Sequence, residues 1–428
     1  MIKIGTEEII LGENSAVNVR DRGFSPESYG LNLTKKKGML YFIESATDRG
    51  DTVLTGNIVA TAKDVNYLGN DAYFVDDEGA FYTLNSATFT KRQTTASDTF
   101  SLGTTDMIQF KGKTFATSAI QIAKLEGSNL DSNFDPGWWS GLDGNVRHPL
   151  EEVEDKMYIG DTNEIHLWDG SASTAAKIVL PPNRNITSLR KHPDGKSLIA
   201  FCGLTQDYSH TKGNKGVIYI IDLITSWMQE IETESQVDGS KLIGGVVYVT
   251  YGPNVGYFNG QGIIFLKKLF TNTVTYSHQL SALEDMLVVA DGINARAYGD
   301  LGAGKVWWNL FQNPTDTTNV IGTIQYKGDN KMLFSYAATG STGKLKEIDY
   351  DNTGGTTGIF YSSKYVFDAL TKIKKFELVH DAFATSTRFY LYDLSDNKSA
   401  ILFYDLLPSG VHGGNFTKTK IDCDLEAD

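Results

Sequence analysis

The chain of 428 residues carries a formal net charge of −13, which argues against nucleic acid as its main partner, because phosphate backbones call for a basic stripe. Glycine is abundant at 42 residues, proline is scarce at 9, and tyrosine and phenylalanine number 21 and 22. That mixture suits many short strands on tight turns and excludes a disordered chain.

Two cysteines, Cys202 and Cys423, make no disulfide framework. Cys202 sits in the apolar strand Leu198-Ile199-Ala200-Phe201-Cys202 and is expected as a buried thiol. The start, Met1-Ile2-Lys3-Ile4-Gly5-Thr6-Glu7-Glu8, lacks the apolar run of a signal peptide. No window approaches ~18 consecutive apolar residues, so no membrane insertion is expected. Small basic clusters at Lys35-Lys36-Lys37 and at Lys372, Lys374 and Lys375 read as solvated turns.

Residues 1–56 read as lead-in strands: Ile2-Lys3-Ile4, Glu8 to Leu11, Leu31-Asn32-Leu33, then Met39 to Ile43 with a polar turn through Asp48-Arg49-Gly50. From Ala72 a regular series begins. Strand–turn–strand units start at Ala72, Lys113, Lys156, Leu198, Val247, Leu287 and Met332, spaced between 40 and 49 residues apart. The clearest is Met157 to Gly170, a strand, a tight polar turn and a second strand ending in Asp-Gly. Such a hairpin is marginal alone and must stack on its neighbours. The gaps supply further strands, for example Asn57 to Thr61, Met107 to Phe110, Ala176 to Leu180 and Val320 to Ile324. A strand repeat of this period is the mark of a β-propeller of four-stranded blades. Nowhere does an apolar stripe of helical period persist for three turns. The fold class is therefore all-β: a seven-bladed propeller over residues 57–355, eight-bladed if Met39–Asn57 joins the ring. A small antiparallel sandwich-like module and tail follows at 356–428. Its strands are Ile359 to Asp368, Ile373 to Val379, Arg388 to Tyr392 and Ala400 to Tyr404, and the tail beyond Pro408 is expected to need a partner for order.

The turn His192-Pro193-Asp194-Gly195-Lys196 with its following strand resembles a turn common in propeller blades, and Ile165 to Gly170 and Val217 to Leu223 resemble their third strands. The order of lead-in, propeller and a C-terminal module opening Tyr361-x-Ser363-Lys364, Phe367-Asp368 and Lys372-Ile373-Lys374-Lys375 resembles structural proteins of tailed-phage particles. That resemblance implies a protein of the virion, made in the host cytoplasm. Its partners would be other virion structural proteins in a symmetric assembly, with a host-surface glycan as a second partner class.

The sequence assigns no catalytic residue, no cofactor and no metal ligand. The histidines, His148, His166, His192, His210, His278, His380 and His412, form no pair at i, i+4 and no His-Glu-x-x-His. His166 alternates with Ile165 and Leu167 and is expected to face solvent. Gly340-Ser341-Thr342-Gly343-Lys344 lacks the hydroxyl after lysine that a phosphate loop needs, so it reads as a hairpin turn. Asp48 to Thr52 matches a sialidase-type Asp-box only in part, and Asp76-Asp77-Glu78 lacks the spacing of a calcium loop. Trp138-Trp139 and Trp307-Trp308 are each expected to put one indole in the core and to offer the other either to packing between blades or to a partner or sugar. The reading is a non-enzymatic phage structural scaffold; the alternative is a carbohydrate-binding or glycan-cleaving propeller.

Overall fold

A computed structural model describes, with short gaps, residues 106–204, 215–269, 279–300 and 305–312, and outside these chiefly the strands named below. Four short strands come first: Ser28–Tyr29 (β1), Leu31–Asn32 (β2), Tyr41–Phe42 (β3) and Thr47–Arg49 (β4). Blade 1 is Ile58–Ala62, Asp71–Asp76, Phe81–Asn85 and Thr88–Lys91 (β5 to β8). Blade 2 is Asp106–Phe110, Lys113–Thr117, Ile122–Glu126 and Asn129–Asp131 (β9 to β12). Blade 3 is Leu150–Val153, Lys156–Asp161, Glu164–Trp168 and Ser173–Val179 (β13 to β16). Blade 4 is Asn185–Lys191, Ser197–Gly203, Gly216–Asp222 and Met228–Thr233 (β17 to β20). Blade 5 is Gly239–Ile243, Val246–Tyr251, Asn254–Phe258 and Ile263–Lys268 (β21 to β24). Blade 6 is Leu280–Leu283, Met286–Asp291, Asn294–Asp300 and Lys305–Gln312 (β25 to β28). Blade 7 takes Ile321–Gly328, Lys331–Tyr336 and Lys344–Asp349 (β29 to β31).

Each blade is an antiparallel meander in chain order, except that blade 7 takes its outer strand from the beginning of the chain, in the order β29-β30-β31-β4. Leu345, Lys346 and Glu347 face Arg49, Asp48 and Thr47 across this join. Asp48 and Arg49, expected in a polar turn, are thus in a strand, and part of the expected lead-in closes the ring. The first strands touch in a complete cycle, β5, β9, β13, β17, β21, β25, β29 and back to β5. Among the described residues there are seven four-stranded sheets; of the 39–57 stretch, Thr47–Arg49 completes the seventh, while Tyr41–Phe42 pairs with β2 in a separate two-stranded sheet.

Period-2 alternation explains why second strands such as β18 and β26 carry apolar residues at successive positions. Successive side chains point to opposite faces of a strand, and each blade is covered on both faces by its neighbours. On β18, Leu198, Ala200 and Cys202 join the core shared with blade 3, while Ile199 and Phe201 join the core shared with blade 5. On β26, Leu287 and Val289 pack toward blade 5, and Val288 and Ala290 toward blade 7. Each consecutive pair of blades from 1 to 7 has its own apolar cluster. Each fully buried Leu, Val, Ile or Phe adds about 1.5–3 kcal/mol, so these stacked cores hold the ring. Outer strands carry the polar faces: β20 is mostly exposed.

Because the blades run up and down, the first-to-second and third-to-fourth turns share one end of the ring. The third-to-fourth turns repeat one device. Asp169 accepts the N–H groups of Ser171 and Ala172, Asp222 those of Ile224 and Thr225, and Asn259 those of Gln261 and Gly262. Short side-chain acceptors hold such turns without help from the rest of the fold.

Ile359–Phe360 (β32) pairs with β1; the remainder of the strand expected to reach Asp368 lies outside the described residues. The chain divides into two compact units, and the second holds most of the C-terminal part, from Ser362. In it Thr371–Val379 (β33) pairs with Lys418–Ala427 (β36), and Phe389–Asp393 (β34) with Ile401–Leu406 (β35), all antiparallel. The tail beyond Pro408 therefore contains a strand paired within this unit, which corrects the expectation that its order depends on a partner. Lys372, Lys374 and Lys375 lie on β33 and not in a turn. Among the described residues no helix is long and apolar enough to cross a membrane.

Candidate functional site

Polar groups on the first strands link one blade to the next near the ring's axis. Asp106, the first residue of β9, accepts from its own neighbour Met107 N–H at 2.9 Å and from Leu150 N–H of blade 3 at 3.0 Å. Arg190 of β17 donates from Nε to the Ser240 carbonyl of blade 5 at 2.7 Å and from Nη1 to Glu151 of blade 3 at 2.7 Å. Ser188 and Ser240 hydroxyls meet at 2.6 Å. Burial raises the Asp106 pKa above its ordinary value, opposed by the Arg190 charge, by the N–H groups of Leu150 and Met107 and by Lys241. A perturbed buried carboxyl is a common mark of catalysis. Here both of its oxygens are taken by backbone N–H groups, so it acts as a latch between blades 2 and 3.

A second cluster lies between the same blades at the opposite end from the third-to-fourth turns. His166 is buried, not solvated as its alternation suggested: the face of β15 away from Ile165 and Leu167 is covered by blade 2. Its Nδ1 accepts the Ala176 N–H at 2.9 Å, which leaves the proton on Nε2, 3.7 Å from Asp161 Oδ2. On the other side, His148 Nδ1 is 3.1 Å from the Gly160 carbonyl and 3.7 Å from Asp161 Oδ1. Among the described residues no group of three His, Cys, Asp or Glu is placed to hold a metal ion.

A third place is a cleft of roughly 110 Å³ at the rim between blades 2 and 3, lined by Phe110, Phe115, Phe134, Trp168 and three lysines, Lys111, Lys113 and Lys124. Phe134 and Trp168 meet edge to face at 5.5 Å, and Lys124 Nζ sits 4.6 Å from the Phe134 ring centre.

Trp307 and Trp308 are both buried, Trp308 fully, in the cores flanking blade 6. They pack between blades and present no surface. Trp138-Trp139, His210, His278, His380, His412, Asp77, Glu78 and the 340–343 turn lie outside the described residues. Sequence reasoning missed Trp227, which is 62% exposed beside Ile224 at 77%. The available signal was an indole in the turn Asp222-Leu223-Ile224-Thr225-Ser226-Trp227, where polar residues are the rule.

No family model matches the chain, and no curated protein matches it. Among solved structures, the extracellular domain of a hybrid two-component system from B. thetaiotaomicron aligns at 10% identity and a TM-score of 0.53, covering 77% of this chain and 41% of that one. A one-component extracellular domain from the same organism aligns at 10% identity and 0.50, covering 81% and 46%. The chain thus spans under half the length of these domains. YCF48 from Cyanidioschyzon merolae aligns at 11% identity and 0.46, covering 69% and 96%. Likeness at this identity concerns the fold alone, and the fold is a β-propeller.

Proposed function

We propose that the chain is a non-enzymatic structural component of a phage particle, its propeller a rigid scaffold for other virion proteins. The observation that carries the scaffold reading is the turn between β19 and β20. Ile224 and Trp227 stand out from it and Met228 is 36% exposed beside them. Asp222 fixes the turn by accepting the N–H groups of Ile224 and Thr225 at 2.9 and 2.7 Å. A preorganised, exposed indole is the form that interface anchors take, because little ordering remains to be lost on binding. The particle setting rests on the resemblance in domain order, an analogy at the level of the fold.

The test is mass spectrometry on gradient-purified particles from a lysate of the source, quantified against the major capsid protein. A fixed ratio that survives salt washes is expected. Truncating an anchoring aromatic costs about 2 kcal/mol or more, so Trp227→Ala should weaken incorporation about thirtyfold. Absence of the wild-type chain from intact particles overturns the virion setting; undiminished incorporation of Trp227→Ala overturns the turn as its anchor.

A further inference from the structure

We infer that the rim cleft between blades 2 and 3 binds a carboxylate-bearing sugar, a uronate- or sialate-type unit. The proposal is independent of the assembly role, since it concerns blades 2 and 3 and not the Trp227 turn of blade 4.

The cleft is built by the fold from separate pieces of chain. Phe110, the last residue of β9, and Phe115, at the middle of β10, are both buried and form its floor, with ring centres 6.2 Å apart. Phe134, following β12, stands edge-on to Phe115 at 5.7 Å and to Trp168 of β15 at 5.5 Å. Phe134 and Trp168 are only partly covered. They make an apolar corner whose size suits one face of a pyranose ring, and aromatic walls with a few placed polar groups are the usual make-up of a small-ligand site.

Lysines gather at the rim of the cleft. Against a formal net charge of −13, this one cleft is ringed by Lys111, Lys113 and Lys124. Three acids stand near them. Asp131 lies directly opposite Lys124 in the register of β11 and β12, on the same face. Glu126 pairs with Lys113 at 3.3 Å. Asp169 turns its carboxylate into its own turn, where the N–H groups of Ala172 and Ser171 and the Ser171 hydroxyl hold its pKa below the ordinary value. Asp169 instead offers its carbonyl, to which Lys111 Nζ donates at 2.5 Å. Gly170 beside the crossing has a φ of +99°, which residues other than glycine rarely adopt, and a Cβ there would stand 3.0 Å from Lys111 Cδ. Lys111 is thereby held across the mouth and Lys124 over the Phe134 ring. A ring-shaped ligand with an apolar face and one anionic edge satisfies both features, the face on the aromatic corner and the carboxylate between the ammonium groups. A neutral sugar leaves the lysines unused, and a bare anion leaves the corner unused. A volume of roughly 110 Å³ takes part of one ring, so the occupant is a single sugar unit, terminal or within a longer chain.

The experiment titrates the full chain with oligosaccharides of galacturonate, glucuronate and sialic acid. Their neutral counterparts and inorganic phosphate serve as controls, with saturation-transfer NMR and calorimetry as readouts. At least one acidic oligosaccharide should bind about tenfold or more tightly than its neutral counterpart, and affinity should fall with added salt, as exposed charge pairs do. Lys124→Gln should weaken the acidic sugar about tenfold and leave the weak binding of its neutral counterpart unchanged. Phe134→Ala should weaken both. Both variants are checked by circular dichroism, and Lys124→Gln, which removes a partly exposed charge, is the decisive one. No binding of any acidic oligosaccharide, equal binding of neutral ones, full competition by equimolar phosphate, or an unaffected Lys124→Gln each overturns the proposal. None of these outcomes bears on particle incorporation, which Trp227→Ala tests separately.

Discussion

Arg190 ties three consecutive blades together, so replacing it should weaken the ring more than its single side chain suggests. Its guanidinium donates to Glu151 of blade 3 at 2.7 Å, to the Ser240 carbonyl of blade 5 at 2.7 Å and to its own Leu189 carbonyl at 2.8 Å. The pair is largely removed from water, with side-chain exposures of 9% for Arg190 and 16% for Glu151. Removing one partner of a buried pair costs about 3–5 kcal/mol, whereas replacing both by apolar groups is often nearly neutral. Arg190→Leu should therefore cost about 3 kcal/mol, at the lower end because Glu151 keeps some contact with water. The double variant Glu151→Leu/Arg190→Leu should recover most of that. Asp106 adds a pH signature. Its folded pKa is raised by burial, and the Arg190 charge is the foremost influence lowering it. A carboxyl raised in the folded state takes up its proton before the unfolded one as pH falls. Its ionised form therefore costs stability at neutral pH, and that cost is relieved on acidification through the window above 3.8, the ordinary value. Loss of Arg190 pushes Asp106 further up and widens the window. The deficit of Arg190→Leu relative to wild type should then be smaller at pH 5 than at pH 7. Urea unfolding followed by tryptophan fluorescence and far-UV circular dichroism reads both effects. A single-variant cost under about 1 kcal/mol, a double variant as costly as the two singles added, or a deficit that grows on acidification would refute the reasoning.

Three further outcomes are expected. Cys202 is 1% exposed and burial pushes its thiol pKa up, so in a Cys423→Ser background it should resist a thiol reagent at pH 8 until urea unfolds the chain; rapid labelling of the native protein would contradict this. A Cβ at Gly256 would stand 2.5 Å from the Ile264 carbonyl oxygen, a backbone atom that cannot step aside, so Gly256→Ala should cost about 2 kcal/mol in thermal or urea unfolding, and a change under about 0.5 kcal/mol would count against the register of β23 on β24. Asp194 is partly buried, which opposes its charge, yet the Ser197 hydroxyl and the N–H groups of Lys196 and Ser197 hold its pKa well down. His192 Nδ1 also stands 3.1 Å from its Oδ2. A depressed carboxyl stabilises above its unfolded value and loses that stabilisation as pH falls, so the wild-type advantage over Asp194→Ala, about 1 kcal/mol, should shrink as pH falls below 3.8; an advantage that held or grew below that pH would contradict the turn.

The hairpins were legible because they are the second and third strands of each blade, buried on both faces. The starts at Lys113, Lys156, Leu198, Val247, Leu287 and Met332 fall on or next to the first residue of β10, β14, β18, β22, β26 and β30. First and outer strands carry weaker patterns for a physical reason. A first strand such as Leu150–Val153 sets Glu151 toward Arg190 of the next blade, and an outer strand such as Met228–Thr233 meets water. The closing strand Thr47–Arg49 is three polar residues long, and only pairing with β31 makes it a strand. The cleft was invisible for a similar reason. Phe110, Phe134 and Trp168 are spread over 58 residues and meet only when blade 3 stacks on blade 2. His166 misled because alternation was read for a sheet with one wet face, whereas a blade has none along its middle strands.

That last error exposes a position the blades share. In blade 3, Asp161 closes β14 and His166 follows five places later; in blade 6, Asp291 closes β26 and Arg296 follows five places later. The registers correspond: Ile159 faces His166 as Val289 faces Arg296. The outer strand slips register at the same point in both, beside Ile165 and beside Ala295. Asp291 Oδ2 accepts from Arg296 Nε at 2.5 Å, and Asp291 is fully buried. A buried carboxylate at the second-to-third turn thus recurs, and a cation-capable side chain on the third strand answers it. Arginine answers with a permanent charge in hydrogen-bond contact, whereas the His166 imidazole stands 3.7 Å from Asp161. Blade 5, with Tyr251 and Gly256 at these two places, has neither member and relies on close backbone approach instead. The repeat is therefore shared in geometry and not in residue type, and the sequence carries turns and strands without a recurring signature.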